Sequence, residues 1–111
     1  MPPDDTRRLA VVLFTDIEGY SALSEKDEEK ALSSVTEFRE IISSITEEFN
    51  GNLIHFYGDG SLSTFTSSVD AVSSAIRMQK TLIKMEIPVR MGIHLGEIID
   101  HADLPTAKLQ G

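Results

Sequence analysis

The sequence predicts an α+β domain whose elements follow the order strand, helix, hairpin, helix, strand. Three observations lead to this fold class. An apolar run near the N-terminus has the composition of a central strand, two segments have apolar residues at helical spacing, and an Asp-Gly turn separates two short β-type runs. With 111 residues, the chain has the length of one domain and can bury a single hydrophobic core.

The predicted first strand is the continuous apolar run over residues 9–14, which follows a polar, proline-bearing tail over residues 1–8. Runs of this kind are typical of central strands that are covered by other elements. We expect the strand to end at Thr15-Asp16, and Gly19 predicts a tight turn after it.

A long amphipathic helix is predicted over residues 27–49, because its apolar residues recur at spacings of four and three. They are Ala31, Val35, Phe38, Ile42, Ile45 and Phe49. Ser24, three residues before Asp27, is a start motif for this helix, and Asn50-Gly51 is a stop motif.

A hairpin and a second helix follow. Gly58-Asp59-Gly60 separates two β-type runs, residues 52–57 and 61–66, and favours a hairpin because Asp and Gly tolerate positive φ. The second helix is predicted over residues 69–84, with one side formed by Val69, Val72, Ile76 and Ile83. In the last strand, after Pro88, apolar residues alternate with Arg90, Gly92, His94 and Gly96.

This order of elements fits a ferredoxin-like, palm-type βαββαβ sandwich. In that topology the first two strands run parallel, and the third lies between them, antiparallel to both. The end of the first strand, at Asp16, and the hairpin tip, at Asp59, then lie at the same edge of the sheet. We therefore expect two carboxylates that are 43 positions apart in the sequence to be neighbours.

Neighbouring carboxylates repel each other, so a cation is expected beside them. Taken singly, Asp16 suggests a helix cap and Asp59 a turn former, but together they are candidate metal ligands. Mg²⁺ prefers one or two carboxylates completed by phosphate oxygens and water, and metal pairs are common in phosphoryl chemistry. Just after Asp16, backbone N–H groups could cradle a polyphosphate. They belong to Ile17, Glu18, Gly19, Tyr20 and Ser21.

The composition excludes several classes of function. A net charge of −8, from 18 acidic and 10 basic residues, argues against nucleic acid as a partner. The chain has no cysteine, which excludes disulfides and thiolate chemistry. Its longest apolar run is far shorter than the roughly 20 residues of a membrane-spanning helix. We therefore expect no membrane segment and a cytoplasmic location.

Three segments resemble motifs of the class III adenylate/guanylate cyclase catalytic domain, in the order and with the spacing of that family. They are residues 14–21 (FTDIEGYS), residues 57–60 (YGDG) followed by Leu62 and Phe65, and residues 90–97 (RMGIHLGE). By this resemblance, residues 9–99 are the N-terminal, metal-binding part of a cyclase domain. Residues 100–111 are an irregular tail where the rest of the domain would follow, so the sandwich is expected to be incomplete at the C-terminus.

The resemblance implies an enzyme of intracellular signalling that converts ATP or GTP to a 3′,5′-cyclic nucleotide and pyrophosphate. It implies that Asp16 and Asp59 are catalytic and bind two Mg²⁺ or Mn²⁺ ions, with the carbonyl of Ile17 as a further ligand. One ion would activate the ribose 3′-hydroxyl and the other would hold the triphosphate. Residues 17–21 and His55 would bind the nucleotide. Such domains act as dimers, so a homodimer, or association with further domains of a longer chain, is expected.

The sequence departs from the family pattern at two places. Many members have a Lys that reads the purine where this chain has His55, which leaves the choice between ATP and GTP open. The family also continues with an Asn that orients the ribose and an Arg that stabilises charge at the phosphate. Neither residue type follows Gly96 here, so we expect the 111-residue chain alone to be inactive.

Two alternatives stay open at this point. A cyclase-like module could bind metal and nucleotide, or mediate dimerisation, without turnover. Another two-metal palm-type enzyme, such as a diguanylate cyclase, ranks last. Its hairpin would be acidic, of the Gly-Gly-Asp-Glu-Phe type, and residues 57–61 (YGDGS) do not supply it.

Overall fold

A computed structural model describes residues 6–100 and 108–109. Within these residues there are three helices and a five-stranded sheet with the strand order β2-β3-β1-β4-β5, in which every neighbouring pair is antiparallel. The strands are β1 (Thr6–Ile17), β2 (Asn52–Tyr57), β3 (Gly60–Phe65), β4 (Val89–Asp100) and β5 (Lys108–Leu109). The helices are α1 (Tyr20–Lys26), α2 (Glu28–Glu48) and α3 (Ser68–Lys84).

The predicted α+β, ferredoxin-like arrangement is confirmed by the strand order. β3 lies between β1 and β2 and is antiparallel to both, so β1 and β2 run parallel. β4 pairs with the other side of β1. None of the helices in the described part of the chain has the length and apolar character needed to cross a membrane.

The strands are longer than the apolar pattern predicted. β1 begins at Thr6 and ends at Ile17, because it pairs with β4 along its whole length, from Thr6 opposite Asp100 to Ile17 opposite Val89. Residues 6–8 are therefore strand rather than tail. In the region predicted to be irregular, residues 100–111, Asp100 is the last residue of β4 and Lys108–Leu109 pairs with β4. The other residues of both predicted tails, 1–5, 101–107 and 110–111, lie outside the described residues.

The long helix predicted over residues 27–49 is confirmed as α2, but Ser24 of its predicted start motif is not the N-cap. Asp27 is the N-cap of α2, and its side chain accepts a hydrogen bond from the backbone N–H of Lys30 at 3.1 Å. Ser24 instead lies inside the short helix α1, which has no buried residue. An Asp side chain at the N-cap satisfies one of the free N–H groups of the first turn, which explains why α2 starts at this residue.

The core lies between the sheet and the helices α2 and α3. The predicted stripe of α2 is confirmed: Phe38 and Ile42 are fully buried against Leu13 of β1, and Val35 and Phe49 pack at the margin of the core. Two buried hydroxyl pairs add polar contacts: Thr46 with Ser63 joins α2 to the sheet, and Thr15 with Ser61 joins β1 to β3 within the sheet.

The side of helix α3 that faces the core is not the side that carries its large β-branched residues. Val69, Val72, Ile76 and Ile83 are exposed, by 45% to 71%. The buried side is formed by Ala71, Ser74, Ala75, Met78 and Leu82. Small side chains let a helix approach the sheet closely, while Met78 and Leu82 fill the core.

Candidate metal and nucleotide site

Asp16 and Asp59 belong to segments that meet at one edge of the sheet, as the topology predicted. The register of β1 and β3 places Asp16 opposite Gly60, the residue after Asp59. The backbone N–H of Ile17 donates a hydrogen bond to the carbonyl oxygen of Asp59 at 3.0 Å. This bond joins the end of β1 to the hairpin tip, so the two aspartates are neighbours through the backbone pairing itself.

The hairpin tip is closely fitted to its surroundings. Gly58 has φ of +56°, a left-handed conformation that glycine adopts without steric cost. At Gly60, a Cβ atom would lie 2.7 Å from the ring of Tyr57 and 3.0 Å from the carbonyl oxygen of Thr15. The second glycine is therefore required by the close approach of β1 and of the Tyr57 ring.

Asp16 forms a forked ion pair with Arg90 of β4. The Nε and Nη2 atoms of Arg90 lie 3.1 and 3.4 Å from the two carboxylate oxygens of Asp16. The hydrogen bond and the charge of Asp16 raise the pKa of Arg90, desolvation opposes this rise, and the charges of Glu18 and Asp59 add to it. This exposed guanidinium is the main cation beside Asp16 among the contacts described.

Sequence reasoning included Arg90 in a motif but assigned it no function. Its position follows from the strand register, which places it directly opposite Asp16. Arg90 is also the only Lys or Arg in β4. A single cationic residue in this strand, together with the predicted position of Asp16 at the sheet edge, could have identified Arg90 as a site residue.

Tyr57 lies beside the carboxylates, on an exposed part of the sheet. Desolvation raises the pKa of its phenol, and the negative charges of Asp16 and Asp59 raise it further. Its hydroxyl lies 3.5 Å from the carbonyl oxygen of Ser61, at the limit of a hydrogen bond. The charges of both aspartates thus act on the same phenol.

A cleft of about 120 Å³ opens at this edge and is lined by Asp16, Tyr57, Arg90 and Gly92, among others. Sites that bury a whole small molecule typically have volumes of about 300–1,000 Å³. The cleft is therefore large enough for part of a nucleotide and too small to enclose one.

Two of the five backbone N–H groups predicted to bind phosphate already have hydrogen-bond partners in the structure. The N–H of Ile17 is bonded to Asp59, and the N–H of Glu18 donates to the carbonyl oxygen of Pro88 at 2.8 Å. The prediction therefore applies to the N–H groups of Gly19, Tyr20 and Ser21, where the chain turns into α1 with Gly19 at φ of +73°.

His55 is exposed and lies on the same face of β2 as Tyr57. The two ring centroids are 6.3 Å apart and the rings are inclined by 18°. His55 pairs with Leu62 of β3, next to a register shift in β2.

The donor set suits a hard cation. No group of three or more His, Cys, Asp or Glu side chains that could hold a metal occurs within the described residues. The available donors are two carboxylates and a backbone carbonyl, all of them oxygen. Mg²⁺ accepts such a set when water and substrate phosphates complete its coordination, whereas zinc sites typically use nitrogen and sulfur ligands.

Known proteins resemble this chain in sequence and in structure, although no protein-family model matches it. The putative adenylate cyclase 3 of Rhizobium meliloti (strain 1021) is 32% identical over 108 residues. The match covers 88% of this chain and 18% of that protein, so the chain spans about a fifth of the curated relative.

Two solved structures share the fold. The adenylyl cyclase CyaB from P. aeruginosa has a TM-score of 0.80 and 25% identity, covering 96% of this chain and 67% of that one. The adenylate/guanylate cyclase/hydrolase from Silicibacter pomeroyi has a TM-score of 0.78 and 27% identity, covering 96% of this chain and 66% of that one.

Proposed function

Since the chain belongs to the class III adenylate/guanylate cyclase domain family, we propose that it is the metal-binding part of a nucleotide-cyclising site. The reaction is the conversion of ATP or GTP to a 3′,5′-cyclic nucleotide and pyrophosphate, in the cytoplasm. The observation that carries the proposal is the backbone pairing that brings Asp16 beside the hairpin of Asp59.

Asp16, Asp59 and the carbonyl of Ile17 are the proposed ligands of two Mg²⁺ or Mn²⁺ ions. When bound, such ions neutralise the triphosphate and lower the pKa of the ribose 3′-hydroxyl that attacks the α-phosphate. The chain needs this help, because its net charge of −8 repels a polyphosphate. The three oxygen donors hold cations of this kind without a dedicated cage of protein ligands.

Arg90 is proposed to bind a phosphate group of the substrate. Its guanidinium is paired with Asp16. A cation bound by Asp16 would replace Arg90 as the partner of this carboxylate and would leave the guanidinium available for phosphate. Arg90 is exposed at the edge of the cleft, and its planar fork suits two phosphate oxygens. The same side chain would thus balance the charge of Asp16 without ligands and the charge of the triphosphate with them.

The base is proposed to lie along His55 and Tyr57. Their exposed rings on one face of β2 offer a surface for stacking. A neutral imidazole can donate or accept a hydrogen bond, so this position is compatible with both adenine and guanine.

The remainder of the site is proposed to come from a second subunit or from further residues of a longer chain. The small volume of the cleft supports this proposal. The chain alone is then expected to bind metal and nucleotide without turnover.

A metal titration tests the first step. Isothermal titration calorimetry of this chain with Mn²⁺, alone and with ATP, should give binding that Asp16→Asn or Asp59→Asn reduces at least tenfold, as for lost metal ligands. Asp70→Asn, in the first turn of α3, removes the same charge away from the site and should change nothing. Unaltered Mn²⁺ binding after both site substitutions would refute the metal assignment.

The same titration with Arg90→Gln tests the phosphate contact. Binding of Mn²⁺ alone should persist, while binding of Mn²⁺-ATP should weaken about tenfold or more, as expected when a charge-assisted hydrogen bond is lost. Equal ATP affinity in Arg90→Gln would exclude this role.

A cyclase assay separates the enzyme from the non-catalytic module. A longer version of the gene product, supplied with Mn²⁺ and ATP or GTP, should release cyclic nucleotide and lose this activity with Asp16→Ala. Nucleotide binding without any cyclic product in that longer protein would instead favour a binding or dimerisation module.

A further inference from the structure

Arg39 of α2 is hydrogen-bonded to the tip of the β2–β3 hairpin. Its Nη2 atom donates a hydrogen bond to the carbonyl oxygen of Gly58 at 3.1 Å. Its guanidinium carbon lies 5.1 Å from the centroid of the Phe56 ring, within the range of a cation–π contact. One side chain thus holds both the end of β2 and the residue that precedes Asp59.

The Gly58 side of the hairpin tip is less restrained than the Gly60 side, which pairs with β1. β2 is at the edge of the sheet and pairs only with β3 among the described strands, with a register shift between Leu53 and His55. Gly58 is in open space, since no atom lies within 4 Å of the position that a Cβ would occupy. Glycine also has more backbone freedom than other residues. β1 holds the tip through the pairing of Asp16 with Gly60 and the bond between Ile17 and Asp59, and Arg39 adds a contact from α2 at Gly58.

We propose that Arg39 is a positioning residue for the cation site. It touches neither the cation nor the substrate, and it acts through the backbone of Gly58 on the carboxylate of Asp59. This inference depends on the proposed function, because it assumes that Asp59 binds a cation together with Asp16. A tip that moves less keeps both carboxylates within reach of the same ion, so less ordering is needed when the ion binds.

The charge of Arg39 has the opposite effect on a cation. Arg39 is exposed to solvent, where salt weakens its repulsion of a cation that lies more than about 10 Å away. Outer-sphere partners of metal ligands, in contrast, typically change metal affinity by about 10-fold to 100-fold. Positioning should therefore outweigh repulsion. Arg39→Lys keeps the charge and removes the planar fork, so it separates the two effects.

Arg77 provides a matched control. Its guanidinium carbon lies 5.5 Å from the Phe49 ring and its Nη1 pairs with Glu48 at 3.0 Å, so it links α3 to α2 in a comparable exposed contact. No contact described for Arg77 involves the hairpin. Arg77→Ala thus removes one positive charge and one cation–π contact without releasing the tip.

The test is a titration of the full chain with Mn²⁺, followed by electron paramagnetic resonance of the free ion. Arg39→Ala should weaken Mn²⁺ binding about tenfold, and Arg39→Lys should also weaken it. Arg77→Ala should bind Mn²⁺ as tightly as the unsubstituted chain. Unchanged or tighter binding in Arg39→Ala, or an equal loss in Arg77→Ala, would overturn the proposal.

Hydrogen–deuterium exchange of the metal-free chain gives a second readout. Amides of residues 57–60 should exchange faster in Arg39→Ala than in Arg77→Ala, while amides inside α2 keep their protection. Equal exchange at the tip in both variants would also overturn the proposal. If the unsubstituted chain binds no Mn²⁺, the proposed function fails as well, whereas binding that ignores Arg39 overturns only this inference.

Discussion

Tyr57 is the residue whose ionisation reflects the charges of the site. Burial raises the pKa of its phenol first, and the carboxylates of Asp16 and Asp59 raise it further, because a phenolate beside them adds a third negative charge. The chain has two tyrosines and no tryptophan, so in a Tyr20→Phe background the phenolate absorbance belongs to Tyr57 alone.

Removing either carboxylate charge should lower the pKa of Tyr57. In the Tyr20→Phe background, Asp16→Asn and Asp59→Asn should each shift the absorbance titration towards the ordinary value of about 10. Asp70→Asn should leave the titration unchanged. If neither site substitution moves the titration, the carboxylates do not act on this phenol.

The raised pKa of Tyr57 also fixes the sign of an effect on stability. The folded state holds the phenol proton more tightly than the unfolded state, so this stabilisation is complete below a pH of about 10. It is lost as the pH rises from there through the folded-state pKa. Urea unfolding at increasing alkaline pH should show this loss, and Tyr57→Phe should reduce it.

The residues of the candidate site differ in how well the sequence predicts them. Asp16 and Asp59 can be paired from the order of elements, because each ends a strand or forms a turn at a known edge. Arg90 requires the register of β1 with β4, which no local pattern encodes. Arg39 requires the rotation of α2 relative to the hairpin, and on the helix it is one of several exposed charges.

At the scale of elements, the close approach of β1 and β3 depends on a glycine, Gly60. Gly60 pairs with Asp16 and lies against Tyr57 and the backbone of Thr15. Gly92 of β4 pairs with Phe14 in a similar strand position, but nothing lies within 4 Å of the place where its Cβ would be. The two glycines therefore differ in their tolerance of a methyl group.

Gly60→Ala should destabilise the chain by about 1–3 kcal/mol, the usual cost of forcing extra atoms into a packed region. Gly92→Ala should change stability by less than about 0.5 kcal/mol, as for most open positions. Urea denaturation of both variants measures the difference. Equal stabilities would show that the hairpin can move away from β1 without cost.

The helices show where pattern reasoning succeeds and where it fails. In α2 the large apolar residues form one stripe and this stripe is buried, because no other side of the helix offers enough apolar area. In α3 the large β-branched residues form one side, but the buried side combines Ala71 and Ala75 with Met78 and Leu82. Periodicity locates a helix, whereas the choice between two apolar sides depends on the shape of the surface beneath it.

For the whole molecule, a single core explains why the order of elements was sufficient to predict the fold. Residues of β1, β3, α2, α3 and β4 all contribute to this one cluster, with Phe38 and Leu82 fully buried. The ends of the long strands were not predictable from apolar runs, since β1 continues into polar residues that are ordered by pairing with β4.

A substitution in this core should affect the whole chain. Phe38→Ala should lower the free energy of unfolding by about 3–5 kcal/mol, because it leaves a cavity in the packed interior. Leu32, on the same helix, is 60% exposed, and Leu32→Ala should change stability by no more than about 0.5 kcal/mol. Thermal and urea unfolding would measure both, and similar losses would contradict a core centred on Phe38.

The pairing of Asp16 with Gly60 has a consequence for engineering. It makes the spacing of the two aspartates independent of the number of residues between them, because the strand ladder and not the intervening chain sets that spacing. The segment between the two aspartates includes the junction of α1 and α2, between Lys26 and Asp27. Helix α1, which precedes this junction, has no buried residue. A reporter or sensor domain inserted there would lengthen the connection and leave the strand ladder unchanged.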